Sequence, residues 1–95
     1  MKNLEKDLYK AITKLDSVEE CFAFFRDLCT PAEIEAMKGR WQVAQILEEG
    51  KLSYRDIHHE TGVSIATIGR VARFLNQENY KGYRTVLDKI KNKPS

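Results

Sequence analysis

The sequence predicts an all-α protein built from six helices. Three observations carry this. Every apolar pattern along the 95 residues has helical rather than alternating spacing. No run of β-branched residues alternates with polar ones as a half-buried strand would. The two prolines, Pro31 and Pro94, leave the helical stretches uninterrupted.

The elements follow in order. Leu4, Leu8, Ile12 and Leu15 form one stripe of a first helix over about residues 3–15. Ser17-Val18-Glu19-Glu20 is a Ser-x-x-Glu capping box and opens a second helix. Phe22, Phe24, Phe25 and Leu28 make that helix apolar over more than half its circumference. Such a helix needs cover, either from an intramolecular core or from a second chain. The small size of the chain favours the second. Thr30-Pro31-Ala32-Glu33 starts a third and longest helix, with Thr as N-cap, Pro at the first helical position and Glu completing the box. It runs to about Glu49, with Gly50 as its stop, and Ile34, Met37, Trp41 and Ala44, joined by Ile46 and Leu47, line its apolar side.

Ser53 opens a short fourth helix that Gly62 ends. Ser64 opens a fifth, with Ile65, Ile68, Ala72 and Leu75 inward. After a polar break at Asn76–Asn79, a last helix within residues 80–93 turns Tyr83, Val86, Leu87 and Ile90 inward. The expected organisation is a single helical domain over 1–95: dimerisation helices in 1–50, a helix-turn-helix in 51–76 and the C-terminal helix after it.

Composition narrows the class. Hydrophobic residues make up 42% and charged residues 32% of the chain, an ordinary balance for a folded domain. No apolar run approaches the roughly 20 residues that span a bilayer, and the N-terminus lacks the apolar stretch of a signal peptide, so a cytoplasmic protein with no membrane partner is expected. Cys21 and Cys29 lie on one predicted helix with Cα atoms about 12 Å apart, too far for a disulfide. They are expected to be buried and reduced. No metal site, cofactor or nucleophile–base constellation is visible, so an enzyme is not expected. The net charge of +2 is uneven. Residues 1–50 hold seven Lys or Arg and ten Asp or Glu, net −3; residues 51–95 hold nine and four, net +5. From Thr61 to Gln77 there is no acidic residue. A basic half with an acid-free segment is an electrostatic footprint for a polyanion.

The motif that organises this segment is two helices joined by a short turn that contains glycine. Gly62 supplies the positive φ of the turn, Val63 plugs the crevice between the helices and Ile68 anchors the second helix. The fifth helix then offers its N-terminal residues to a DNA major groove. Ser64, Ala66, Thr67 and Gly69 are small and permit close approach. Ala66 and Thr67 suit a thymine methyl, and Thr67 can hydrogen-bond. Arg70 and Arg73 lie within reach of phosphate or guanine. His58 is a further candidate for a groove or phosphate contact, and His59 is expected at the surface. The alternative is a helical hairpin that serves packing or binds protein without DNA.

These residues resemble the tryptophan repressor family. The resemblance is carried by the Thr30-Pro31-x-Glu33 start, Arg40, and Gly62-x-x-Ile65-Ala66-Thr67-Ile68, without gaps over about half the chain. More closely, the chain resembles the tryptophan-repressor-related YerC/YecD-type proteins. The resemblance implies an intertwined homodimer whose paired helix-turn-helix units bind double-stranded DNA, commonly to repress transcription. It adds Tyr54 and Arg55, at the start of the fourth helix, and Ile65 to the DNA-reading positions. It also implies a ligand pocket, in which the corepressor indole lies between two arginines that match Arg40 and Arg70, with Thr30 beside it. Tryptophan-binding members carry glycine and serine where this chain has Val71 and Phe74. Those two side chains are expected to fill the pocket, so a response to tryptophan is not expected, and the sequence identifies no other small-molecule effector.

Overall fold

The computed structural model describes residues 3–92. Among them are six α-helices and no strand: α1 (Leu4–Ile12), α2 (Val18–Leu28), α3 (Pro31–Glu49), α4 (Tyr54–Thr61), α5 (Ile65–Asn76) and α6 (Gly82–Asn92). The described residues divide into two compact units, one ending at Ile34 and one beginning at Glu35. Residue 93, assigned to the last helix on sequence, lies outside the described residues.

The helix starts follow their capping side chains. Ser17 Oγ accepts from the Glu20 backbone N–H at 3.0 Å, and the Glu20 carboxylate accepts from the N–H of Asp16 at 3.1 Å, one residue earlier than a reciprocal box requires. At α3 the box is reciprocal: Thr30 Oγ1 accepts from Glu33 N–H and the Glu33 carboxylate from Thr30 N–H, at 3.1 and 2.8 Å. Each such cap contributes roughly 1 kcal/mol to its helix. Gly50 closes α3 at φ 72°. The first helix is shorter than its apolar stripe. The chain leaves α1 after Ile12, and the N–H of Leu15 bonds the Ile12 carbonyl beyond the helix end.

In the first unit no residue of α1 or α2 is buried. Val18 is 81% exposed and Phe22 63%. Phe24 and Phe25 meet edge to face, 5.7 Å between centroids. The cysteines do not form the buried pair expected: both thiols are free, Cys21 exposed and Cys29 half-buried.

The second unit holds the core: Val43, Ala44, Ile57, Ile68 and Val71, with Trp41, Ile46, Leu47, Val63 and Tyr83 packed against them. Val43, absent from the expected stripe, is fully buried. Ile65 points outward instead of inward, and α5 buries Ile68, Val71, Ala72 and Leu75. Val86 and Ile90 are also exposed rather than inward. Helix α6 buries Leu87 and half-buries Tyr83, neighbours one turn apart.

A charged cluster ties α6 to α3. Arg84 donates two hydrogen bonds to the Glu48 carboxylate at 2.8 and 2.9 Å, and Lys91 donates a third at 3.3 Å. The Arg84 bonds first, and the Lys91 bond second, hold the Glu48 carboxyl down at about 2. An unfolded glutamate titrates near about 4.3. The cluster therefore contributes its full stability above that pH and loses it as pH falls from about 4.3 through 2. Urea denaturation across this window should show stability falling with pH, and Glu48→Gln should flatten the slope. A Glu48→Gln protein with the wild-type slope would show that Glu48 does not carry it.

Candidate nucleic-acid interface

Helix α4 begins where Ser53 Oγ accepts from the Asp56 N–H, 3.1 Å away. It ends at Gly62, whose φ is 77° and whose N–H bonds the His58 carbonyl at 2.8 Å. Two side chains hold the turn. Thr61 Oγ1 donates to the Ile57 carbonyl at 2.7 Å and accepts from the Val63 N–H at 3.1 Å. His58 Nδ1 lies 2.8 Å from the Val63 carbonyl. A carbonyl only accepts, so Nδ1 carries the proton and Nε2 is the nitrogen left over. His58 is therefore half-buried and committed to the turn, a role the sequence did not suggest. Val63 also packs against α3, so closely that a Cβ on Gly39 would lie 3.1 Å from it.

At Gly62 a Cβ would meet nothing within 4 Å, so the backbone conformation alone demands glycine. Gly62→Ala should destabilise by about 1–2 kcal/mol, the cost of a left-handed residue with a side chain. The thermal midpoint of a domain this size should fall by roughly 4–8 °C per kcal/mol. A midpoint equal to that of the wild type would contradict the reading of the turn.

Ser64 caps α5, accepting from the Thr67 N–H at 3.1 Å, while its hydroxyl donates to Thr67 Oγ1 at 3.0 Å. The expected inner anchor, Ile68, is fully buried, and so is Ile57 of α4, which the sequence had not singled out. This fixes which side of α5 faces out. Ala66, Gly69, Arg70 and Arg73, at spacings of three, four and seven residues, share one face. Ala66, Arg70 and Arg73 are exposed, and Gly69 and Thr67 half-buried. Ser64 and Ile65 are exposed at the helix start, as are Tyr54 and Arg55 at the start of α4. No acidic residue stands in the first turn of α5, whereas each of the four preceding helices has at least one there.

The arginines of this face are supported in a way that spacing had not suggested. The Arg70 and Arg73 guanidinium carbons lie 4.3 and 5.0 Å from the centroid of the Phe74 ring. That ring stacks on Tyr80, 10° from parallel and 6.2 Å between centroids. Arg73 also makes a loose ion pair with Glu78 at 3.6 Å. The signal in the sequence was Arg70 four residues before Phe74, with Arg73 adjacent to it.

Arg40, Arg70, Val71 and Phe74 line one cavity, together with Trp41, Tyr80, Gly82, Tyr83 and Val86. It measures about 420 Å³. The expectation that Val71 and Phe74 fill it is corrected. Val71 is drawn into the core, 1% exposed, and Phe74 lies against Tyr80 in the cavity wall. Thr30 belongs to the first unit and caps α3. Among the described residues no group of His, Cys, Asp or Glu is placed to hold a metal ion, and no helix is long and apolar enough to cross a membrane.

The family model for the Trp repressor protein matches residues 3–91. The chain belongs to the Trp repressor family. The protein YerC of Bacillus subtilis, itself uncharacterised, is 46% identical over 84 residues, covering 88% of this chain and 79% of that protein. Among solved structures, a TrpR-like protein from Eubacterium eligens superposes with a TM-score of 0.83 at 39% identity, covering 95% of this chain and 91% of its own. A candidate Trp repressor from Staphylococcus aureus gives 0.86 at 38% identity, over 100% and 93%. The Trp repressor fold is thus shared across the described helices, and the family is one of DNA-binding regulators.

Proposed function

We propose that this chain is a cytoplasmic, homodimeric, sequence-specific DNA-binding regulator that represses transcription and does not respond to tryptophan. The observation that carries the reading is the outer face of α5: small at Ala66 and Gly69, basic at Arg70 and Arg73, and acid-free through Gln77. Small residues bring the helix close to base edges, and a carboxylate there would be pressed against phosphate. In this reading Ser64, Ile65, Ala66, Thr67 and Gly69 lie at the groove, Arg70 and Arg73 supply phosphate or guanine contacts, and Tyr54 and Arg55 add contacts from α4. His58 acts by fixing the turn, and Nε2, an acceptor in that tautomer, is left for a donor in the groove such as a base amino group.

The dimer is supported by the uncovered apolar residues of α1 and α2, Leu4, Val18, Phe22 and Leu28 among them. Capture of genomic fragments by the protein, followed by affinity measurements over a salt series, tests the reading. Arg70→Ala should weaken binding and lessen the salt slope by about one for each reading head. Salt-insensitive binding to protein partners, with no DNA captured, would favour the adaptor reading instead.

Independence from tryptophan rests on chemistry rather than on occlusion, because the cavity is open. One face of the Arg70 guanidinium already lies on Phe74. An indole seated there must displace that contact, itself worth about 0.5–1 kcal/mol at an exposed site. Phe74 also offers no hydroxyl to a ligand amine. Calorimetric titration with L-tryptophan should give no saturable heat at micromolar concentrations and no change in DNA affinity. Micromolar binding accompanied by tighter DNA binding would refute this part of the proposal.

A further inference from the structure

Arg70 and Arg73, three residues apart on α5, share one aromatic ring, and this solves a conflict peculiar to an anion-binding face. Two like charges so close repel one another, and long side chains with many rotamers must be ordered when a ligand arrives. A carboxylate partner would order them, but it would occupy their N–H donors and repel phosphate. An aromatic face attracts a guanidinium stacked on it and leaves the donors at the guanidinium edge free. Among the described residues Arg70 has no ion pair, and its guanidinium carbon lies 4.3 Å from the Phe74 centroid. The Arg73 pair with Glu78 is loose at 3.6 Å, and its guanidinium carbon lies 5.0 Å from the same ring. Tyr80 is 82% exposed, so burial does not account for where it sits, and it stacks nearly parallel to Phe74.

We infer that Phe74, backed by Tyr80, is a positioning residue that holds the Arg70 and Arg73 guanidiniums ready for DNA phosphates. The inference rests on the DNA-binding reading, while the ring contact itself is measurable in the free protein.

The test compares the full-length wild-type protein with Phe74→Leu, Phe74→Tyr and Tyr80→Ala. In the free protein the side-chain N–H resonance of Arg70 should carry a ring-current shift. Phe74→Leu should abolish it and Phe74→Tyr should keep it. On a captured DNA fragment Phe74→Leu should weaken binding about fivefold or more at an unchanged salt slope, because the phosphate contacts still form once the arginines are ordered. Phe74→Tyr should bind within about twofold of wild type while keeping the Arg70 shift, so that affinity follows the ring contact on the arginines and not the melting midpoint.

Wild-type affinity in a folded Phe74→Leu protein, or an equal loss in folded Phe74→Tyr, overturns the inference alone. Absence of DNA binding by the wild-type protein overturns the underlying reading and the role given to the ring with it. If Phe74→Leu does not fold, Tyr80→Ala decides. The inference then expects a normal melting midpoint with weakened DNA binding and an altered Arg70 shift, and wild-type values of both overturn it.

Discussion

Ala66→Glu should abolish specific DNA binding while leaving the fold as stable as before or slightly more so. The two halves of this expectation pull in opposite directions, which makes the variant informative. An acidic residue in the first turn stabilises a helix by roughly 0.3–1 kcal/mol through the helix dipole. Helices α1 to α4 all use this device and α5 does not. Glutamate is also among the better helix formers, and Ala66 is exposed, so nothing in the packing resists it. Against DNA the same carboxylate stands on the groove face and lies four residues before Arg70, where it can pair with and occupy that arginine. Juxtaposed like charges cost several kcal/mol, so affinity should fall about 100-fold or more. Thermal melting and DNA titration on one preparation check both halves. A variant that binds as tightly as wild type would remove α5 from the interface.

The second large effect is expected at Phe22. Its ring is 63% exposed in a single chain, on a helix with no buried residue, and its described company is the Arg26 guanidinium at 4.9 Å. In the proposed dimer the ring is covered. Burying a phenylalanine side chain is worth roughly 1.5–3 kcal/mol, and a two-fold symmetric interface counts each residue twice. Phe22→Glu removes both contributions and adds a charge that must stay in water. The dimer dissociation constant should rise by about a thousandfold or more. Sedimentation at micromolar concentration should show wild type at twice the chain mass and the variant at one. DNA affinity should fall with dimerisation, since two reading heads no longer act together. A wild-type protein that sediments as a folded monomer would contradict the dimer and leave the exposure of Val18 and Phe22 without a cause.

Much of the fold is legible because its punctuation is local. Ser17, Thr30, Ser53 and Ser64 cap the helices they precede, and Gly50 and Gly62 take the left-handed conformation that ends a helix. These signals need only neighbouring residues. Helix faces were less legible where apolar residues surround the axis. In α3, residues from Ile34 to Leu47 leave no single stripe, so spacing passed over Val43, which the core selects. In α6, Tyr83–Leu87 and Val86–Ile90 are two overlapping stripes of equal spacing, and only packing against α5 and α3 chooses the first. Ile65 was assigned inward by the same logic, yet the turn at Gly62 orients α5 by Ile68 and Val71. In the candidate interface, spacing indicated which residues share a face but not where rings rest. Phe74 was expected to fill the cavity and instead lies in its wall, stacked on Tyr80, a partner whose position depends on the connection between α5 and α6.

The central claim, that the acid-free face of α5 binds DNA, is tested most directly by the salt dependence of binding to a captured genomic fragment. Each neutralised phosphate contributes about −0.9 to the slope of log affinity against log salt. Two reading heads that each place Arg55, Arg70 and Arg73 near the backbone predict a slope of about −5. A flat salt dependence, or no fragment captured above background at low salt, would contradict the account.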